Sequence, residues 1–124
     1  MKRLFPLALL CLVLTACTTT LTNLTPRTMQ RNGNGLYPVE VMWDSHAADI
    51  KKETIKGFVV VGEDAYPMQR SPMLTNRWET LLPIPKDKDF VNYRFKFDYM
   101  YLKIPAPQPS SKLSDPYQLQ VIDR

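Results

Sequence analysis

An all-β fold is what this sequence predicts, on three observations. Val91, Tyr93, Phe95, Phe97, Tyr99 and Tyr101 alternate strictly with Asn92, Arg94, Lys96, Asp98 and Met100, a period of two that gives a strand one buried and one solvent face. Tyr37, Val39, Val41 and Trp43 repeat the pattern against Pro38, Glu40 and Met42. Helix signals are nearly absent: only His46 to Thr54 offers a turn or two, without a full apolar stripe. Six or seven short strands in a domain of about ninety residues favour an antiparallel β-sandwich of the immunoglobulin-like type, with a small β-barrel as the alternative. No Cys-Trp-Cys pattern is present, so strand number and domain size carry the prediction.

The first strand is expected from Leu36 to Asp44, with four large apolar groups on one face. Ile55 to Val61 contains the run Phe58-Val59-Val60-Val61, which reads as a buried central strand. Gly62-Glu63-Asp64 supplies a turn, and Ala65 to Arg70 then pairs back as a hairpin arm. Pro67 removes a ladder donor from that arm and argues for an edge position. Leu74 to Leu82 makes the next strand, stopped by Pro83 and Pro85, and Lys86-Asp87-Lys88-Asp89 reads as an exposed turn. After the aromatic strand, Pro105, Pro107 and Pro109 enforce an extended connection. Ser110 to Asp115 reads as a polar loop, and Tyr117, Leu119 and Val121 point inward from a last strand.

The amino-terminal segment is of a different kind. Met1-Lys2-Arg3 precede an apolar run from Leu4 to Leu14, and Leu14-Thr15-Ala16-Cys17 closes it. A basic start, an apolar stretch of about ten residues and small residues before a cut are the parts of a secretory signal, too short to span a bilayer stably. Leu14 three before the cysteine, with the small pair Thr15 and Ala16 between them, resembles the bacterial lipoprotein signal class. The resemblance implies a diacylglyceryl thioether on Cys17, cleavage after Ala16 by the lipoprotein signal peptidase, and acylation of the new amino terminus. Two or three acyl chains, at roughly 0.8 kcal/mol per buried methylene, make such an anchor effectively permanent. The alternative is an ordinary secreted chain with Cys17 a free thiol. Thr18 stands where an aspartate marks retention at the inner membrane of Gram-negative cells. The expected location is therefore the cell envelope, lipid-anchored at the outer membrane and facing the periplasm or the cell surface.

From Thr18 to Asn34 the chain is rich in Thr, Asn, Arg and Gly, a composition that buries little and reads as a flexible tether with a reach of roughly 20 to 25 Å. The expected organisation is a signal peptide over 1–16, a lipidated tether over 17–34 and a β-sandwich over 35–124. Removing the first sixteen of 124 residues leaves about 108, enough for one domain with one core. Of the 16 basic residues, Lys2 and Arg3 lie in the leader, leaving 14 against 12 acidic. So weak a balance is no nucleic-acid signature. Lys51, Lys52, Lys86 and Lys88 also sit beside Glu53, Asp87 and Asp89. Both cysteines, Cys11 and Cys17, fall in the signal region, so the mature fold is expected to have no disulfide.

Catalysis is not expected. There is one histidine, His46, with Asp44 and Asp49 nearby, and this is a thin ligand set for a metal. Asp98 and Glu79 are conceivable as paired carboxylates, but carboxylates on strand faces are usually solvated. No glycine-rich phosphate loop follows a strand, and no cofactor is expected.

Binding is the better expectation. Arg77, Glu79, Arg94, Lys96 and Asp98 suggest a cross-strand charge ladder. Around an aromatic anchor at Trp78, with Tyr101 near a strand end, such a ladder would form the polar rim of a protein contact. Trp43, Tyr93, Phe95 and Phe97 are read as core. The layout from Arg77-Trp78-Glu79 through Pro83-Ile84-Pro85 to Tyr93-Arg94-Phe95-Lys96-Phe97-Asp98 is similar to that of glycogen- and starch-binding sandwich modules, with Tyr99 where they usually have glycine. That resemblance implies sugar stacking on exposed aromatics such as Trp78 and Tyr101. Tyr66-Pro67-Met68, Asn76-Arg77-Trp78-Glu79 and the Tyr93–Asp98 segment also resemble those of small envelope lipoproteins of environmental bacteria, which implies a compact fold and no particular task. The expected function is a non-catalytic, lipid-anchored interaction or structural module of the envelope. Its partners are expected to be the membrane, through Cys17, and an envelope protein. The alternative is a carbohydrate-binding module with a polysaccharide ligand.

Overall fold

The computed structural model describes residues 19–123, so the leader expected over 1–16 and the expected lipidation position, Cys17, lie outside the described residues. Ten strands form two sheets: β1 Thr19–Asn23, β2 Thr28–Gln30, β3 Leu36–Ser45, β4 Ile50–Val61, β5 Asp64–Pro67, β6 Gln69–Arg70, β7 Arg77–Pro83, β8 Phe90–Tyr101, β9 Gln108–Leu113 and β10 Tyr117–Ile122. One sheet runs β1-β3-β7-β6; the other runs β2-β10-β8-β4-β5, with β9 also on β8. These are the A-B-E-D and G-F-C-C′ orders of an immunoglobulin-like sandwich. The predicted fold class holds, and the sheets do not close into a barrel. One pair departs from the antiparallel expectation, because β2 runs parallel to β10, with Val121 opposite Met29.

Period two builds the core as expected. Tyr37, Val39, Val41 and Trp43 point inward from β3 and meet Tyr93, Phe95, Phe97 and Tyr99 from β8. Where antibody domains place a disulfide and a tryptophan, this chain has an aromatic cluster. Phe97 is fully buried, 5.0 Å between ring centroids from Trp43 and 5.5 Å, edge-on, from Trp78. Gly57 is its cross-strand neighbour on β4, and a Cβ there would lie 2.7 Å from the Phe97 ring. Glycine is thus the residue that lets the ring lie flat on β4.

The tether expected over 17–34 is, from Thr19 onward, part of the sandwich. β1 pairs residue for residue with β3, from Thr19 opposite Ser45 to Asn23 opposite Val41. The chain then crosses to the other sheet. Asn23 Nδ2 donates to the Tyr93 hydroxyl at 2.9 Å, while Thr25 Oγ1 donates to the Glu40 carbonyl and accepts from the Glu40 amide. Thr25 thereby satisfies the backbone of β3 where β1 leaves it. Arg31 holds the far end, its guanidinium donating to Asp89, to Asp123 and to the carbonyls of Lys86 and Lys88. Its hydrogen bond and charge pairing with Asp123 raise its pKa further. Thr, Asn and Arg compose badly for a core but well for side-chain hydrogen bonds to backbone. This is why a polar segment proves ordered.

Three further expectations change. His46 to Thr54 is not helical: Ile50–Thr54 opens β4, with an irregularity between Lys51 and Lys56. Thr54 Oγ1 satisfies that irregularity, donating to the Lys51 carbonyl and accepting from the Met100 amide. The arm over Ala65–Arg70 is divided, with β5 on the edge of one sheet and β6 on the other. Buried Met68 fills the corner between them, and Pro67 does sit on an edge strand. The expected loop over Ser110–Asp115 is mostly β9, a strand with no inward apolar residue that is held by its ladder to β8. Backbone pairing leaves no periodic trace in a polar sequence. Between β9 and β10 the chain bulges, and Ser114 both donates its amide to the Phe95 carbonyl and offers its hydroxyl to the Phe95 amide.

Tyr117, opposite Tyr93 on β10, has its pKa raised from 10.0, first by burial and then by the charges of Asp115 and Tyr93. The folded state holds this proton more tightly than the unfolded chain does. Its contribution is therefore complete below pH 10.0 and is lost as the pH climbs through the folded pKa. We expect unfolding midpoints to fall on the alkaline side, and to fall less in Tyr117→Phe. Equal alkaline slopes in the two chains would refute this.

Candidate functional site

The residues picked from the sequence do not form one surface. Trp78 lies opposite Val41 on β3 and shares its inward face, so its ring is buried at 6% exposure. The Arg70 guanidinium lies 4.9 Å from the ring centroid. An exposed aromatic anchor at Trp78 is therefore not what the fold makes. The ring instead closes one wall of a cavity of about 170 Å3, with Trp43, Ile50, Ile55, Lys52 and Arg70 among its other walls. Tyr101 is half-buried at the end of β8, edge-on to Tyr99 at 5.4 Å, with the Lys103 ammonium 5.6 Å from its ring.

The charge ladder is likewise split between two faces. Arg77 and Glu79 stand on the outside of the four-stranded sheet. There Glu79 lies opposite Glu40, and Arg77 Nε approaches the Glu40 carboxylate at 3.6 Å without a hydrogen bond. Arg94, Lys96 and Asp98 stand on the outside of the other sheet, because β8 alternates with buried Tyr93, Phe95, Phe97 and Tyr99. The sandwich core separates the two sets. Glu79 and Asp98 therefore cannot act as paired carboxylates. Among the described residues no three His, Cys, Asp or Glu side chains are grouped to hold a metal, His46 with Asp44 and Asp49 included.

What does come together is the outer face of the six-stranded sheet. Phe58 lies opposite Lys96 and Val60 opposite Arg94. On the other side of β8, Leu113 lies opposite Lys96 and Ser111 opposite Asp98. Ser111 Oγ donates to Asp98 Oδ1 at 2.6 Å, and the Lys96 ammonium is 3.8 Å from the same oxygen. Phe58 and Val60 are half-buried and Leu113 is exposed. The result is a strip of cations and one carboxylate between two apolar margins. Sequence reading missed those margins. Phe58-Val59-Val60-Val61 reads as a wholly buried run, whereas Gly57, Val59 and Val61 turn to the core and Phe58 and Val60 turn away from it. The small residue Gly57 opposite the aromatic Phe97 was the available sign of which face turned inward.

No protein-family model matches this chain, and no curated protein matches it. Among solved structures it is similar to murine CRIg, with a TM-score of 0.42 and 12% sequence identity over 85% of this chain and 98% of that one. At those values the likeness carries no weight, and the immunoglobulin-like assignment stands on the strand order given above.

Proposed function

We propose that this chain is a lipid-anchored protein of the bacterial cell envelope whose sandwich is a non-catalytic interaction module. The observation that carries the reading is the outer face of the six-stranded sheet, where Phe58, Val60 and Leu113 flank Arg94, Lys96 and Asp98. Apolar groups beside a hydrogen-bonded charge cluster are the usual anatomy of a protein contact. The anchor is read from Leu14-Thr15-Ala16-Cys17, and Thr18 favours the outer membrane, facing the periplasm or the cell surface. Glu79 and Asp98, the carboxylates considered as a pair, stand on opposite outer faces of the sandwich, which supports a binding rather than a chemical task. The carbohydrate reading loses its main support with the burial of Trp78.

Two measurements test this. Labelled palmitate should enter the chain and fail to enter Cys17→Ala. Cross-linking in the intact envelope should give a defined adduct that is lost in Lys96→Glu and Phe58→Ala, both of which retain the wild-type circular dichroism, and kept in Glu79→Lys on the opposite face. Retention on insoluble polysaccharide that disappears in Tyr101→Ala would instead establish sugar binding.

A further inference from the structure

We infer, on the footing of the Cys17 anchor proposed above, that the end of the sandwich from which the chain leaves toward Cys17 is a lipid-docking surface, seated on the bilayer by the apolar side chains of two loops.

The strand registers define that end. Thr19 lies opposite Ser45, the last residue of β3. Ile50, the first residue of β4, lies opposite Tyr101, the last of β8. The Trp43 amide donates to the Asn76 carbonyl, and the Leu102 amide donates to the Asp49 carbonyl. The connections over 46–49, 71–76 and 102–107 therefore share one end with the start of β1.

Two of these loops carry apolar side chains into solvent. Ile104, at 98%, and Met73, at 87%, are the two most exposed large hydrophobic residues of the described chain, with Leu102 at 52% and Leu74 at 46% beside them. These are four of the eight exposed large hydrophobic residues among the described residues, and their grouping at one end of the sandwich marks a contact. Neither loop contains a carboxylate, and the single charge in the pair is Lys103. Its ammonium lies 5.6 Å from the Tyr101 ring centroid, and a lysine among apolar side chains suits a layer of headgroup phosphates. Exposed Phe90 and Ile122 lie at the other end, where β8 begins and β10 stops.

The position of the anchor selects a bilayer as the occupant. Cys17 precedes Thr19 by two residues, a span of at most about 7 Å when fully extended. Thr19 is already in β1, its hydroxyl 2.9 Å from that of Ser45. With no slack from Thr19 onward, acyl chains on Cys17 hold this end, and no other, against the headgroups. Insertion of Ile104 and Met73 then orients the sandwich upright, with both sheet faces clear of the membrane.

The test uses the acylated chain, matured from its own signal and placed in vesicles of phosphatidylethanolamine and phosphatidylglycerol. Cys11 leaves with the leader and Cys17 is consumed by its thioether, so Ile104→Cys, Met73→Cys and Phe90→Cys each introduce the only free thiol for an environment-sensitive fluorophore. We expect blue-shifted emission at positions 104 and 73, with quenching by nitroxide lipids several-fold stronger than at position 90. Equal quenching at all three positions in chains that carry palmitate and float with the vesicles would overturn the docking surface and leave the anchor intact. Labels at 104 and 73 that stay in water on vesicles but shift when solubilised envelope proteins are added would assign the loops to a protein partner, and would also overturn it. In a chain that palmitate does not label, the anchor reading falls and Cys17 is itself a thiol, so the labelled variants are then made with Cys17→Ser. Entry of the same two labels into the bilayer would then uphold the surface alone, and their staying in water would overturn it.

Discussion

Phe97→Ala is expected to destabilise the domain by about 3–5 kcal/mol, the range for removing a buried phenylalanine whose neighbours cannot close the gap. Here closure is blocked on each side. Trp43 and Trp78, on β3 and β7, meet the Phe97 ring from the opposite sheet, and each is fixed by its own strand ladder. Behind the ring stands Gly57, which has no side chain to move inward. Natural domains have only about 5–15 kcal/mol in total, so the variant should be marginal at 25 °C. Urea unfolding measures this directly: the midpoint should fall steeply, with Phe97→Leu in between. A loss under about 1 kcal/mol would mean that the two tryptophans repack and that the cluster is not the pin between the sheets.

Shortening the chain to begin at Gly35, the boundary its composition suggests, is expected to remove roughly 3 kcal/mol or more, at about 1 kcal/mol net per backbone ladder hydrogen bond lost. The deletion strips β1 from β3 and β2 from β10, uncovers apolar surface packed by Leu21 and Met29, and removes the Arg31 ties to Asp89 and Asp123. A tether would leave thermal unfolding unchanged. A cooperative transition at the wild-type temperature in the shortened chain would therefore sink the two-strand assignment, and with it the short reach between Cys17 and the sandwich.

The parts of the fold legible in the sequence are those where side chains do the folding. β3 and β8 were visible at nearly full length because each alternates aromatic or aliphatic with polar residues. β10 was visible for the same reason, through Tyr117, Leu119 and Val121. Strands held chiefly by backbone pairing were not visible. β1, β2 and β9 are polar and short, and a ladder hydrogen bond is indifferent to the side chain above it. The candidate site follows the same rule. Arg94, Lys96 and Asp98 were correctly placed together on one face of one strand, because period two suffices within a strand. Arg77 and Glu79 were joined to them wrongly, since nothing local says which sheet a strand enters.

By itself, then, the sequence determined the all-β class, the inward face of each amphipathic strand and the Leu14-Thr15-Ala16-Cys17 pattern on which the anchor is proposed, all of which are local in the chain. Tertiary structure alone decided that the polar segment after Cys17 is built into both sheets, that Trp78 is core rather than anchor, and that Ile104 and Met73 emerge beside the start of β1. Those outcomes depend on register and sheet order, which are set by contacts between residues far apart in the chain, and no window of neighbouring residues contains them.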